Sequence, residues 1–284
     1  MKKLALTLAT SLIGAGTLLV ATSCDQPAVL CTCGRGDFAA VYTFVDGSPE
    51  CGNLKSELLG MNAYAFEKDG PNTGTMTDWS KGAVAIGSER IGWLIDRAGR
   101  SMVTDPNAAH KLYTVGDFPK EPTNDFCAVP QMRMPDAEID IPALPAVLDD
   151  PLTEKDESEP PVEATHYVYK WSNLDYLVRP DAIGTQLRGD LEYTRNGCTA
   201  KYKVKAVYPA RDCEKREKRG DEEVRLGVPD PDRCFPVSQP DKNIFEGSGI
   251  SPDFPVECVE FDPAGMTTGK RFFCMITKDV PAFK

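Results

Sequence analysis

Cysteine is the residue type in this sequence whose number and placement could do chemistry. The 284-residue chain holds ten cysteines but only two histidines, His110 and His166. A cysteine can carry a lipid, form a disulfide or bind a soft metal, and the compartment decides among these. The ten cysteines are at positions 24, 31, 33, 51, 127, 198, 213, 234, 258 and 274.

The N-terminus has the three-part pattern of an export signal. Lys2 and Lys3 supply the positive end, residues 4–20 form an uncharged and mostly apolar run, and small residues follow at 21–23. The run is short for a membrane-spanning helix, which needs about 20 apolar residues. We therefore interpret residues 1–23 as a signal peptide and the rest as an exported chain.

The end of this signal, LLVATSC at residues 18–24, resembles the lipobox of bacterial lipoprotein precursors. It departs from that family at Ala21, where leucine is preferred. The resemblance implies that Cys24 receives a diacylglycerol and anchors the protein in the cell envelope, with the inner or outer membrane left open. An ordinary secreted protein is the alternative, because Ala21 and Ser23 also suit the general signal peptidase.

Two later stretches, residues 38–47 and 124–130, resemble uncharacterised cysteine-rich lipoproteins of myxobacteria. This second resemblance implies the same compartment and no particular activity.

In an exported chain the remaining cysteines are expected to form disulfides. If Cys24 carries lipid, nine remain and one thiol is left over. Residues 256–278 predict a hairpin that sets Cys258 opposite Cys274, so we expect a disulfide between them. Cys198 and Cys213 are the next nearest pair. No C-x₂-C pair occurs, so we expect neither a metal site nor a cofactor.

The charge is negative and unevenly spread. The net charge of −11 makes nucleic acid a poor partner. Residues 131–163 hold ten acidic and two basic residues together with six prolines. Acidic, proline-rich sequence favours a solvated spacer, so we interpret residues 146–163 as a linker between an N-terminal β-rich domain at 24–145 and a C-terminal antiparallel β domain at 164–284.

The clearest element is a hairpin around Asn196-Gly197, a dipeptide that favours a two-residue turn. The turn pairs Tyr193 with Ala200 on an apolar face and, on the other face, Glu192 with Lys201 and Asp190 with Lys203. Arg188 falls opposite Lys205, and we expect the ladder to open at these like charges.

Other segments predict further strands and one helix. Residues 37–47 are apolar on both faces, as in a central strand, and residues 166–171 alternate with Tyr167, Tyr169 and Trp171 on one face. Residues 88–99 predict a short helix capped by Ser88. The predicted fold class is mainly β, with antiparallel sheets in a sandwich-like arrangement, one short helix, long loops and disulfides.

Catalytic motifs are missing from the sequence. It has no G-x-S-x-G, S-x-x-K, phosphate-binding loop or H-E-x-x-H pattern, and His110 and His166 have no recognisable triad context. We therefore assign no catalytic residue and expect a lipid-anchored envelope protein with a structural or interaction role, bound to the membrane through Cys24 and to an unknown protein or polymer. The alternatives are a hydrolase that uses paired carboxylates and a small-ligand binding module.

Overall fold

The computed structural model describes residues 29–51, 53–67, 77–100, 111–148, 158–219, 222–261 and 270–284. These residues are mainly β, with twelve strands, one α-helix and three short 3-10 turns. All strand pairs are antiparallel, and four disulfides are present. The predicted class of a mainly β, antiparallel, disulfide-bonded protein with one helix is therefore confirmed.

The first eight strands form one closed barrel in which each strand pairs with the next along the chain. They are β1 (Gly36–Gly47), β2 (Ser56–Glu67), β3 (Thr77–Ser88), β4 (Tyr113–Phe118), β5 (Phe126–Ile141), β6 (Thr165–Arg179), β7 (Ala182–Arg195) and β8 (Cys198–Val207). Pairing of β1 with β8 closes the barrel and removes the two free edges that the expected sandwich would keep. The sandwich-like arrangement is thus corrected to a barrel.

The hairpin of β7 and β8 has the predicted turn and register. Asn196 and Gly197 both have positive φ, and the strand pairs follow the expected ladder. Arg188 and Lys205 remain opposite each other without a register shift, so the expected opening does not occur. Both side chains form ion pairs with acids outside β7 and β8. Arg188 Nη2 lies 2.9 Å from Asp175 Oδ2, and Lys205 Nζ lies 3.6 Å from Asp279 Oδ1.

Large side chains fill the barrel interior. Tyr167, Tyr169 and Trp171 alternate inward along β6 and are at most 3% exposed, which confirms the predicted aromatic face. Phe38 and Tyr42 of β1 belong to the same buried cluster. The interior is therefore a packed core, as expected for a barrel of eight strands.

The helix α1 (Glu89–Arg100) closes the barrel at the end where β3 finishes. The Ser88 hydroxyl accepts a hydrogen bond from the backbone N–H of Ile91, as predicted for the cap. Ile91, Leu94 and Ala98 are buried in the same cluster as the barrel interior. The amphipathic pattern of the sequence thus places the apolar face of α1 on the core.

The N-terminal segment, residues 29–34, closes the opposite end. Cys33 lies in the core cluster, and Val29 and Cys31 pack against it. The N–H of Cys31 donates to the carbonyl of Lys120, and the N–H of Gly34 donates to the carbonyl of Gly184. A disulfide between Cys31 and Cys127 fixes this segment to the start of β5.

The described ends of the acidic segment, residues 146–148 and 158–163, lie beside the two long strands β5 and β6 of the barrel. β5 and β6, on either side of it, pair along most of their length. Beyond them, isolated bridges join Leu144 with Val162 and Val147 with Glu159. The expected boundaries at 24–145, 146–163 and 164–284 therefore do not follow the sheet, because β5 and β6 come from the two expected domains and pair within one barrel.

Residues 208–284 form a C-terminal module on the outside of the barrel. It contains the hairpin of β9 (Glu214–Arg219) and β10 (Glu222–Pro229), two 3-10 turns at Pro231–Cys234 and Pro240–Lys242, and the hairpin of β11 (Val256–Phe261) and β12 (Arg271–Ile276). Its apolar side chains share a buried cluster with outward-facing barrel residues such as Ala39 and Leu58. The module therefore covers one side of the barrel and leaves other sides exposed.

Candidate functional site

A buried carboxylate, that of Glu57, lies in the described part of the barrel interior at the end covered by α1. It accepts hydrogen bonds from the hydroxyls of Tyr42 (2.9 Å), Ser88 and Tyr169 (3.4 Å) and from the backbone N–H of Arg90 (3.3 Å). Burial raises the pKa of the Glu57 carboxyl, and the nearby Arg90 guanidinium partly offsets this. Because the surrounding core is packed, we interpret this cluster as a structural link between the barrel and α1.

The predicted outer face of β7 and β8 carries ion pairs. Lys203 lies 2.6 Å from Asp190, and Lys201 lies 4.0 Å from Glu192. A cavity of about 380 Å³ lies between this face and the C-terminal tail. Partial burial raises the pKa of Asp190, but hydrogen bonds from Lys203 and Asn173 outweigh it and lower the pKa. Asp190 is thus held as a carboxylate by Lys203 and Asn173.

His166 is the histidine that the structure describes, and its polar contacts within the described residues are with acids and a backbone-binding asparagine rather than with a nucleophile. His166 begins β6 and its Nδ1 lies 2.8 Å from Asp140, with Glu138 3.7 Å from its Nε2. Its backbone N–H donates to the side chain of Asn196. These contacts fasten the hairpin end. His110 lies outside the described residues.

The cysteine pairing differs from the predicted one. β11 and β12 do set Cys258 opposite Cys274. The disulfides, however, join Cys213 with Cys258 and Cys234 with Cys274, with Cα atoms 5.8 and 5.5 Å apart. Residues 211–213 and the turn that ends at Cys234 pack against the hairpin and place their own cysteines at bonding distance from its two sulfurs. The Sγ atoms of Cys213, Cys234 and Cys274 consequently lie within 4.8 Å of one another.

The predicted Cys198–Cys213 bond is also wrong. Cys198 begins β8 and Cys213 follows its other end, so a ten-residue strand of about 33 Å separates them. Cys198 instead bonds to Cys51, in the short turn Pro49–Cys51 after β1. Cys33 is the free cysteine of the described residues, and it is 5% exposed. Burial raises the pKa of its thiol to about 12.

An open groove on the outer face of β2, β3 and β4 is the candidate binding site. It has a volume of about 460 Å³. Two tyrosines from different strands, Tyr64 and Tyr113, line it and are 50% and 51% exposed. We call it the tyrosine groove; it is lined by Arg35, Gly36, Gly60, Met61, Asn62, Tyr64, Ala85, Gly87, Leu112 and Tyr113.

Strand pairing explains the shape of the tyrosine groove. Gly60 of β2 lies opposite Gly87 of β3, which in turn lies opposite Tyr113 of β4. Two neighbouring glycines without side chains leave a low floor between the tyrosine walls. A Cβ atom added at Gly60 or Gly87 would meet its nearest neighbours at 3.8 and 3.6 Å, which are ordinary contacts. The two glycine positions on the floor could therefore each accept a Cβ atom without a clash.

Sequence reasoning did not find this groove. Its walls come from residues 64 and 113, which share neither a motif nor a fixed spacing. Two tyrosines and two glycines are visible in the sequence. That they lie together on one face becomes visible only when the strand register is known.

A smaller pocket of about 150 Å³ adjoins the tyrosine groove at the end closed by the N-terminal segment. Arg35 and Tyr64 line both sites. Three cationic side chains, Arg35, Lys81 and Lys120, are among its lining residues. We call it the basic pocket.

Cys24, the predicted lipidation site, lies outside the described residues, as does the whole signal segment 1–23. Within the described residues no helix is long and apolar enough to span a membrane.

Comparison with known proteins identifies relatives of this fold. The MlpA family model matches residues 36–209, which correspond to the eight-stranded barrel from Gly36 to Val207. A Myxococcus xanthus protein named as the lipoprotein MlpA is 26% identical over 281 residues, which cover 96% of this chain and 95% of the relative. No solved structure matches the chain significantly. The likeness to a myxobacterial lipoprotein is thus confirmed, and the chain belongs to the MlpA family.

Proposed function

We propose that this protein is anchored in the bacterial cell envelope through a lipid on Cys24 and binds a protein or polymer partner in its tyrosine groove without catalysis. The observation that carries the binding role is the groove itself, an exposed and largely apolar concavity with two half-exposed tyrosines. Exposed apolar surfaces of this kind are typical of interaction sites. The net charge of −11 disfavours nucleic acid as the partner, because both are negatively charged.

Cysteine accounting supports the anchor. Eight of the ten cysteines form the four disulfides, and Cys33 is buried in the core between the N-terminal segment and the barrel. Cys24 therefore has only one reduced cysteine as a candidate partner in the described residues, and that thiol is 5% exposed. A lipid on Cys24 would leave nine cysteines, eight in the described disulfides and the buried Cys33, and the relative named as a lipoprotein agrees with such an anchor.

The carboxylate hydrolase is the weaker hypothesis. Asp175, Asp190 and Asp279 line the cavity of about 380 Å³. Each is paired with a cation, respectively Arg188, Lys203 and Lys205. Partial burial raises the pKa of Asp190, but hydrogen bonds from Lys203 and Asn173 lower it overall. This disfavours Asp190 as the proton donor that glycoside or ester cleavage by two acids requires.

Mass spectrometry of the non-reduced native protein tests the anchor. We expect a diacyl or triacyl group on Cys24 and one thiol, Cys33, that is alkylated only after denaturation because its folded-state pKa is about 12. A Cys24–Cys33 disulfide in the native protein would contradict the anchor.

Photo-crosslinking in the native envelope tests the groove. A photoreactive residue at Tyr64 or Tyr113 should capture the same partner, while one at Ile183, which is also 50% exposed, should not. Gly87→Val fills the groove floor without a backbone clash and should abolish capture; Gly92→Val, at an exposed helix position with open space, is the matched control. Equal capture of the partner from positions 64, 113 and 183 would contradict the proposed role of the tyrosine groove in binding.

A further inference from the structure

The basic pocket lies where the described chain begins. It is lined by Leu30 and Thr32 of the N-terminal segment and by Arg35, Lys81 and Lys120. None of its described lining residues is acidic. In a chain with a net charge of −11, the lining brings three cationic side chains together, and two of them, Lys81 and Lys120, also contact an acid outside the lining. A group of cationic side chains complements an anion.

The distance to the proposed anchor is short. Val29 follows Cys24 by five residues, and five residues span at most about 18 Å. If Cys24 carries the lipid, this end of the barrel is therefore held close to the headgroups of the membrane. The inference that follows rests on that proposed anchor for its geometry.

The surroundings of the basic pocket suit the membrane interface. Tyr64 is half exposed at its rim, and Leu30, Phe118 and Pro119 contribute apolar surface to its lining. Tyrosine is enriched where membrane meets water, because one end of the ring is apolar and the other is polar. The pocket thus combines interfacial and cationic side chains.

Two of the cations have acidic neighbours outside the lining. Lys81 lies 3.5 Å from Asp78, and Lys120 lies 3.0 Å from Glu121. The side chains of both lysines are more than half exposed. The pair of Lys120 with Glu121 is exposed on both sides and contributes little to stability, so an incoming anion competes with Glu121 at low cost. Asp78 is 19% exposed and stays beside Lys81.

We propose that the basic pocket binds the phosphate of an anionic phospholipid headgroup in the membrane that holds the protein. Arg35 offers a planar fork of donors, and Lys81 and Lys120 add two point charges. The contact orients the barrel with its N-terminal segment toward the lipid. The adjoining tyrosine groove then opens beside the membrane surface.

Vesicle partitioning of the mature chain with Cys24→Ser tests this proposal, because no acyl chain then contributes. We expect binding to vesicles that contain phosphatidylglycerol and much weaker binding to pure phosphatidylcholine. Each cation near an anionic surface strengthens partitioning about fivefold, so Arg35→Gln, Lys81→Gln and Lys120→Gln together should lower it roughly 100-fold. Added salt should weaken binding of the unaltered pocket as well.

A matched control removes three cations elsewhere. Lys170, Lys201 and Lys203 lie on the outer face of β6 to β8 beside Glu192 and Asp190. Their triple change to Gln alters net charge equally and should leave partitioning nearly unchanged. An equal loss in this control, or equal binding to both vesicle types, would overturn the proposal.

The outcome is separable from that of the anchor. Acylation of Cys24 is measured by mass spectrometry of the native protein. Headgroup binding is measured by vesicle partitioning of the Cys24→Ser variant. An unmodified Cys24 with retained, pocket-dependent vesicle binding rejects the anchor alone. An acylated Cys24 without pocket-dependent binding rejects the headgroup site alone.

Discussion

At the residue scale, Glu57 connects parts of the chain that lie far apart in sequence. Its carboxylate meets Tyr42 from β1, Ser88 from β3, Arg90 from α1 and Tyr169 from β6. Ser88 also caps α1, so one hydroxyl serves both the helix and the barrel. A buried acid that is satisfied from several elements fixes their relative positions, because losing any one donor leaves a buried acceptor unmet.

The raised pKa of Glu57 predicts a pH dependence of stability. The carboxyl has an ordinary pKa of 4.5, and burial raises it in the folded protein. The folded state therefore holds this proton more firmly than the unfolded state, so the contribution of Glu57 to stability falls as pH rises above 4.5. Glutamine cannot titrate. We expect the unfolding free energy of the wild type minus that of Glu57→Gln to decrease as pH rises from 4 to 7. Urea titrations at each pH measure both values.

Asp190→Asn is the matched control with the opposite sign. Partial burial raises the pKa of Asp190, yet hydrogen bonds from Lys203 and Asn173 lower it overall. Its contribution is therefore present above the ordinary pKa of 3.8 and is lost as pH falls below it. The same trend in both variants would show that Glu57 does not hold its proton more firmly in the fold.

At the element scale, local chemistry was enough to predict several structures. The turn at Asn196-Gly197 fixed the whole β7–β8 register, because a two-residue turn leaves one alignment of the flanking strands. Ser88 likewise marked the start of α1. Closure of the barrel could not be predicted this way. It depends on β1 meeting β8, which is about 160 residues later and carries no complementary pattern that distinguishes it from other strands.

The same limit explains the two errors in cysteine pairing. The hairpin register correctly placed Cys258 opposite Cys274. Which sulfur each one meets depends on Cys213 and Cys234, whose segments reach the hairpin through long-range packing. The tyrosine groove was missed for the same reason, since its two walls are brought together only by the register of three strands.

Two glycines give opposite predictions for the stability of these elements. Gly197 has φ of +78°, a region that alanine adopts only with strain. Gly197→Ala should therefore destabilise the protein by about 1 kcal/mol. Gly92 lies in α1 with nothing within 4 Å of an added Cβ, so Gly92→Ala should stabilise by about 0.5 to 1 kcal/mol. Urea unfolding measures both changes, and equal signs for the pair would refute the turn assignment.

At the scale of the whole molecule, the protein is a barrel with a module fastened to its side. Two disulfides, Cys31–Cys127 and Cys51–Cys198, hold the barrel, and the other two lie within the C-terminal module. The family match covers the barrel and ends at residue 209, so it includes only the first two residues of the C-terminal module. The barrel is therefore the part that the MlpA family model describes.

Loop length predicts which of these disulfides matters more for stability. The Cys51–Cys198 bond closes a separation of 147 residues, and Cys234–Cys274 closes one of 40. In the chain-entropy description, these bonds contribute about 5 and about 4 kcal/mol. Replacing Cys51 and Cys198 by alanine should thus cost about 1 kcal/mol more than replacing Cys234 and Cys274. Urea unfolding of the two double variants checks the order, and a reversed order would contradict the entropic account.

The arrangement of the four described disulfides also bears on how the protein is made. They cross in two pairs: Cys31–Cys127 is interleaved with Cys51–Cys198, and Cys213–Cys258 with Cys234–Cys274. Under the proposed export, the chain leaves the cytoplasm N-terminus first, so early cysteines would meet the oxidant before their native partners arrive. We expect bonds between consecutive cysteines to form first, and none of these is among the four described disulfides. Such bonds must be exchanged by thiolate attack, so the yield of native protein should depend on a disulfide isomerase in the host.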